Sequence, residues 1–126
     1  MRVLIVDDSS YICLICRQAL SKAGYQAIGE CYDGIQAVEK ALELNPDVIL
    51  MDMALPKMNG VDATKNILAQ LPQVKILAMS AIHDPWMKEN AIQAGCAAFL
   101  EKPFEPQQLI GYIEDILKQK KDVKYG

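Results

Sequence analysis

The chain has 126 residues, 52% of them apolar, and a formal net charge of -3 with a pI near 5.1. It is long enough for one domain with its own core, without metal or disulfide staples, and it has no basic footprint for direct nucleic-acid binding. No apolar stretch approaches the roughly 20 residues of a membrane span, and a start in which Val3 to Val6 runs straight into Asp7 and Asp8 is not a leader; a cytoplasmic protein without membrane insertion is expected.

Residues 3 to 6 (VLIV) are apolar on both parities, as in a central parallel strand covered on both faces. Asp7, Asp8 and Ser9 then turn the chain, and Asp8 or Ser9 caps the helix that follows. In that helix Ile12, Ile15, Cys16, Ala19, Leu20 and Ala23 form one apolar face, ended by Gly24. The next strand, QAIGEC, is polar enough for a sheet edge. Asp33 and Gly34 open a second helix with Ile35, Val38, Ala41 and Leu42 inward, stopped by Asn45 and Pro46.

The strand VILM delivers Asp52, and the loop MALPKMNG leads to a helix capped by Asn59 that carries Val61, Ile67, Leu68 and Leu71 up to Pro72. KILAM ends at Ser80. Asp84 and Pro85 are a cap followed by proline at the first helical position, and Gly95 is the matching stop. AAFL is a short last strand, followed by Glu101, Lys102 and Pro103. A final helix opens near Pro106 with Leu109, Ile110, Ile113, Ile116 and Leu117 on one face, and the polar tail KQKKDVKYG is expected to fray.

Five strands alternating with five helices through short loops predict an α/β fold, a doubly wound parallel sheet with right-handed crossovers. In such sheets ligands sit beyond the carboxyl ends of the strands. Asp7, Asp8, Asp52, Ser80 and Lys102 all fall at such ends. Converging carboxylates repel one another and raise at least one pKa. Mg2+ resolves that conflict with oxygen ligands, and a cation beside a lysine suits a phosphoryl group. An aspartate is a known nucleophile toward phosphorus, and Ser80 offers a hydroxyl donor.

Cys13, Cys16, Cys31 and Cys96 are expected as small buried hydrophobes. The CxxC spacing of Cys13 and Cys16 lies inside an amphipathic pattern, and with a single histidine a zinc site lacks ligands. His83 reads as an exposed loop residue, and Trp86 as a partly buried anchor. The methionines read as core or loop filler, with Met53 at the mouth of the site.

With these residues in view, the chain resembles the receiver domain of two-component response regulators, and most closely the stand-alone chemotaxis type. The likeness spans essentially the whole chain: the acidic pair in VDD, the acceptor in LMDMALPKMNG, the serine in MSA and the lysine in LEKPF. It implies a flavodoxin-like five-stranded sheet of order 2-1-3-4-5, with residues 1–120 as the domain and 121–126 as tail. It implies that Asp52 accepts phosphate from a sensor histidine kinase, that Asp7, Asp8, Asp52 and the backbone carbonyl of Ala54 hold Mg2+, and that Lys102 bridges Asp52 and the phosphoryl group.

The same likeness implies Ser80 and Phe99 as a switch, a cis bond before Pro103, and a protein target on the face of the fourth helix, fifth strand and fifth helix. The domain would catalyse only its own phosphorylation and dephosphorylation, as a monomer or a weak phosphorylation-dependent dimer. Two positions depart from the pattern: Ala54 and Ile82 stand where many receivers carry polar residues, which implies slow self-dephosphorylation. Phe99 replaces a tyrosine of some members and lacks its hydroxyl. Three alternatives remain at this point: a receiver cut from a larger regulator, a Mg2+-dependent phosphohydrolase with an aspartyl-phosphate intermediate, and a constitutive interaction domain.

Overall fold

The structure is a computed structural model that describes residues 1–81 and 85–122, with side chains up to residue 119. Ile82, His83 and Asp84 therefore lie outside the described residues, as does the tail from 123. The elements are β1 (Arg2–Val6), α1 (Ser10–Lys22), β2 (Gln26–Cys31), α2 (Gly34–Leu44), β3 (Val48–Asp52), α3 (Gly60–Gln70), β4 (Lys75–Ser80), α4 (Pro85–Ala94), β5 (Ala98–Glu101) and α5 (Pro106–Asp122). All pairings are parallel, in the order β2-β1-β3-β4-β5. The expected flavodoxin-like order is thus observed, with QAIGEC at an edge.

Strand periodicity divides the interior in two. Leu4, Val6, Ile49, Met51, Ile76, Ala78 and Phe99 point to the face covered by α2, α3 and α4. Val3, Ile5, Val48, Leu50, Leu77, Met79 and Leu100 point to the other, beneath α1 and α5. This explains the unbroken apolar runs of β1, β3 and β4: both parities are buried.

Caps fix where the helices begin. Ser9, not Asp8, caps α1, its Oγ accepting from the Ile12 N–H; Asp33 caps α2 and Asn59 caps α3. Asn45 closes α2 in the left-handed region, and Gly95, at φ +112°, follows α4.

Three expectations need correction. In α1 the deeply buried line is Cys13, Cys16, Ala19 and Leu20, with Ala23 exposed at the C-cap. In α2 the inward residues are Gly34, Ala37 and Ala41, while Ile35 and Leu42 are exposed. The deepest positions of this helix hold only small residues, Val38 and Leu44 pack at its flanks, and Ile35 and Leu42 are turned outward. Trp86 is 70% exposed, because the inward side of α4 is Ala91 with Met87. The last helix, α5, runs to Asp122.

Candidate functional site

β1, β3, β4 and β5 each leave the sheet at its carboxyl edge beside the others, and the backbone ladder continues one residue past the strands. The Asp7 N–H donates to Cys31 O, the Met53 N–H to Met79 O and the Lys102 N–H to Ser80 O, all at 3.0 Å or less. With the β1–β3 pairing of Val6 and Met51, these bonds fix Asp7, Asp52, Ser80 and Lys102 along one rim of the sheet. Asp7 and Asp52 extend the β1 and β3 rows on the α1/α5 side, and Ser80 extends the β4 row that contains Ala78. Phe99 is the register partner of Ala78. The charged residues and the serine therefore stand on opposite sides of one sheet edge.

Asp7 is wholly buried, Asp52 is 4% exposed and Ser80 is 1% exposed; Asp8 is exposed. Lys102 Nζ lies 2.5 Å from Asp7 Oδ2 and 3.5 Å from Asp52 Oδ1. The lysine is thus shared, and it sits nearer Asp7, the carboxylate with no access to water. Asp7 Oδ1 accepts from the Ser9 N–H at 2.9 Å, and Asp52 Oδ1 accepts from the Ala54 N–H at 3.3 Å.

Burial, followed by the negative charge of Asp7, pushes the Asp52 carboxyl above its ordinary value. The Lys102 ammonium and the Ala54 N–H pull the other way without prevailing. One carboxylate oxygen from each of Asp7, Asp8 and Asp52 lies within 4.8 Å of the others. Three hard oxygen donors facing a single ammonium form a set that a divalent cation such as Mg2+ fits.

Of the remaining expectations, the Lys102–Pro103 bond is cis. Phe99 is buried against the α2–α4 side of the sheet. Ala54 is exposed beside the site. Met53 is core: it is 1% exposed and packs in the α2–α4 layer, because Gly60 lets α3 close down on it. All four cysteines are buried thiols, pushed up by burial to about 12 for Cys16 and to about 11 for Cys13, Cys31 and Cys96. They behave as the small hydrophobes expected.

The sequence reading missed the Asp33–Lys57 pair, 3.7 Å apart, which joins the start of α2 to the loop after Asp52. A glycine at the first position of a helix, where almost any residue is a better helix former, was the available sign of a close approach there.

The model of the response regulator receiver domain matches residues 3–114. A chemotaxis protein CheY of Thermotoga maritima is 41% identical over 117 residues, covering 93% of this chain and 98% of that protein. A CheY of Bacillus subtilis is 37% identical, covering 92% and 97%. Among solved structures, the CheX–CheY–BeF3–Mg2+ complex of Borrelia burgdorferi superimposes with a TM-score of 0.89 at 25% identity, over 93% of this chain and 89% of that one. A family match of this extent, on a fold with the same strand order, admits one conclusion: the chain belongs to the response regulator receiver domain family.

Proposed function

We propose that the protein is a phosphorylation-activated receiver of the chemotaxis type, with Asp52 as the phosphoacceptor, residues 1–120 as the domain and 121–126 as tail. The observation that carries this reading is a buried aspartate at the end of a central strand, sharing one lysine with a second buried aspartate and flanked by a third carboxylate and a serine. Asp7, Asp8, Asp52 and the Ala54 carbonyl would hold Mg2+. Bound there, the ion would neutralise the carboxylates and draw in the oxygens of an incoming phosphoryl group.

The rest is done by the chain. An Asp52 carboxylate oxygen attacks phosphorus; the bond from phosphorus to the donor atom, a phosphohistidine nitrogen of a sensor kinase or the carboxyl oxygen of acetyl phosphate, breaks, and that donor atom leaves with the electron pair. Lys102, already between Asp7 and Asp52, swings its ammonium toward the new phosphoryl oxygens, and the Ser80 hydroxyl donates to another. Because Ser80 belongs to the sheet side that carries Phe99, its displacement is felt in the α2–α4 layer rather than under α1 and α5. Phe99 beside Ala78 is placed to repack, shifting the population of the α4–β5–α5 face toward its partner-binding form. That face is the proposed docking surface for a downstream protein, and the route for a weak phosphorylation-dependent dimer. Among the described residues no helix is long and apolar enough to cross a membrane, in keeping with a cytoplasmic signalling protein.

Intact mass after incubation with acetyl phosphate tests this. A phosphoryl adduct is expected with Mg2+, none after chelation, and no sustained release of inorganic phosphate beyond slow decay of the adduct. Continuous turnover of phosphate would support a phosphohydrolase instead. The adduct is expected to be long-lived, since the methyl group of Ala54 cannot orient an attacking water. Ala54→Asn and Ile82→Glu are each expected to speed decay by about tenfold, followed by the same mass measurement; unchanged lifetimes in both would refute that account.

A further inference from the structure

We propose that Asp33 and Gly34, at the start of α2, are positioning residues for the phosphoacceptor loop and set the place of Ala54 opposite Asp52. The loop between β3 and α3 contains a tight turn in which the Met58 N–H donates to Pro56 O at 2.7 Å. Its central residue, Lys57, has φ +67°. A three-residue turn of that hand is strained for a side chain other than glycine, and strained backbone persists only where its surroundings hold it.

The start of α2 supplies the hold in three ways. The Gly34 N–H donates to the same Pro56 carbonyl at 3.4 Å. Asp33 Oδ2 lies 3.7 Å from Lys57 Nζ, while its Oδ1 caps α2 by accepting from the Gln36 N–H at 2.8 Å. Gly34 also lies directly against the loop: a Cβ there would stand 1.9 Å from Met58 O and 2.6 Å from Met58 C. Both of those atoms are backbone, which cannot step aside as a flexible side chain can.

The loop's neck is held separately. The Gly60 N–H donates to Met53 O at 3.0 Å, and a Cβ on Gly60 would stand 2.2 Å from Asp52 O. Ala54 and Leu55 lie between these two clamps. The Ala54 N–H donates to Asp52 Oδ1 at 3.3 Å, a long bond of its kind. A shift of a few tenths of an ångström in the loop therefore changes its strength. A glycine in a helix's first turn weakens the helix, and the approach of Met58 is what requires it here.

The consequence for Mg2+ rests on the function proposed above; the consequence for the Ala54 amide does not. The test compares Gly34→Ala, Asp33→Asn and Ala41→Gly with the parent, by calorimetric Mg2+ titration without phosphodonor, by the Ala54 amide resonance in metal-free protein, and by thermal melting. Ala41 is buried in α2 two turns beyond Gly34, so its variant weakens the same helix without touching the loop.

Gly34→Ala is expected to displace the Ala54 resonance and weaken Mg2+ binding by about tenfold, as loss of an outer support to a metal ligand does. Asp33→Asn keeps a good cap but loses the charge facing Lys57, and is expected to weaken Mg2+ by about threefold, the scale of a half-exposed pair. Ala41→Gly is expected to lower the melting temperature and leave both other readouts at parent values. Parent-like Ala54 resonances in Gly34→Ala and Asp33→Asn overturn the proposal, as does a loss of Mg2+ binding in Ala41→Gly that scales with its melting temperature. Should Gly34→Ala fail to fold, Asp33→Asn decides on the same readouts. A parent protein that binds no Mg2+ would instead defeat the functional reading, while the amide resonances still judge the positioning.

Discussion

Asp52→Asn is expected to abolish the Mg2+-dependent phosphoryl adduct altogether and, in metal-free protein at neutral pH, to make the fold more stable. The first effect follows from chemistry. An amide is no substitute for the carboxylate nucleophile, and among the described residues the other carboxylates of the cluster are the ion-paired Asp7 and the exposed Asp8. The second follows from burial. Desolvation and the charge of Asp7 raise the Asp52 pKa, so the folded chain holds that proton more tightly than the unfolded chain. The stability contributed by the protonated form is complete below the unfolded pKa and is lost as pH rises through the raised folded value. The advantage of Asn over Asp should therefore be absent in acid, grow through that window and hold at neutral pH. Urea unfolding of both proteins from acid to neutral pH checks the sign. An Asn variant less stable at neutral pH, or an adduct that survives the substitution, would refute the assignment.

Lys102→Met should act in the opposite sense. It removes the ammonium 2.5 Å from a wholly buried Asp7 and leaves a side chain of similar bulk. Breaking one half of a buried pair costs about 3 kcal/mol, because the remaining charge has no water to turn to. Asp52 loses at the same time the ammonium that lowers its pKa. The expected result is a large drop in the urea midpoint of metal-free protein, partly recovered when Mg2+ is added, since a ligand that binds only the folded form stabilises it. Adduct formation is expected to slow by about a hundredfold, the scale of losing one donor to a developing negative charge. Unchanged stability and rate would mean that the Asp7 charge is balanced by some group other than Lys102.

The sequence reading succeeded where a single period governs. β1, β3 and β4 were legible because strands buried on both faces are apolar on both parities, Asp52 and Ser80 were legible because each follows such a run directly, and Lys102 because it stands one residue past the short apolar run of β5. The strand order came from family resemblance, since periodicity does not say which strands are neighbours. The reading of α2 went wrong at Ile35 and Leu42 because helical periodicity weighs large apolar side chains, whereas the deepest line of α2 is made of the small residues Gly34, Ala37 and Ala41. Trp86 misled for a related reason: size suggested an anchor, but the inner face of α4 begins one residue later, at Met87. The nearness of Lys102 to Asp7 rather than Asp52 depends on relative burial, which no local pattern encodes. The link from Asp33 to Lys57 joins segments whose proximity exists only once α2 and α3 are packed.

The two ends of the described chain bear on how the domain can be wired to other things. The carbonyl of Met1 accepts from the Gln26 N–H, and Met1 shares a cavity with Leu117 of α5 and with Asp47 and Lys75, which flank β3 and open β4 at their amino ends. Asp52 lies at the opposite end of β3, five residues and roughly 16 Å away. A fluorescent reporter or immobilising tether fused ahead of Met1, or carried on the outgoing end of α5, is thus anchored on the far rim of the sheet, leaving the acidic cluster open to a kinase-sized donor.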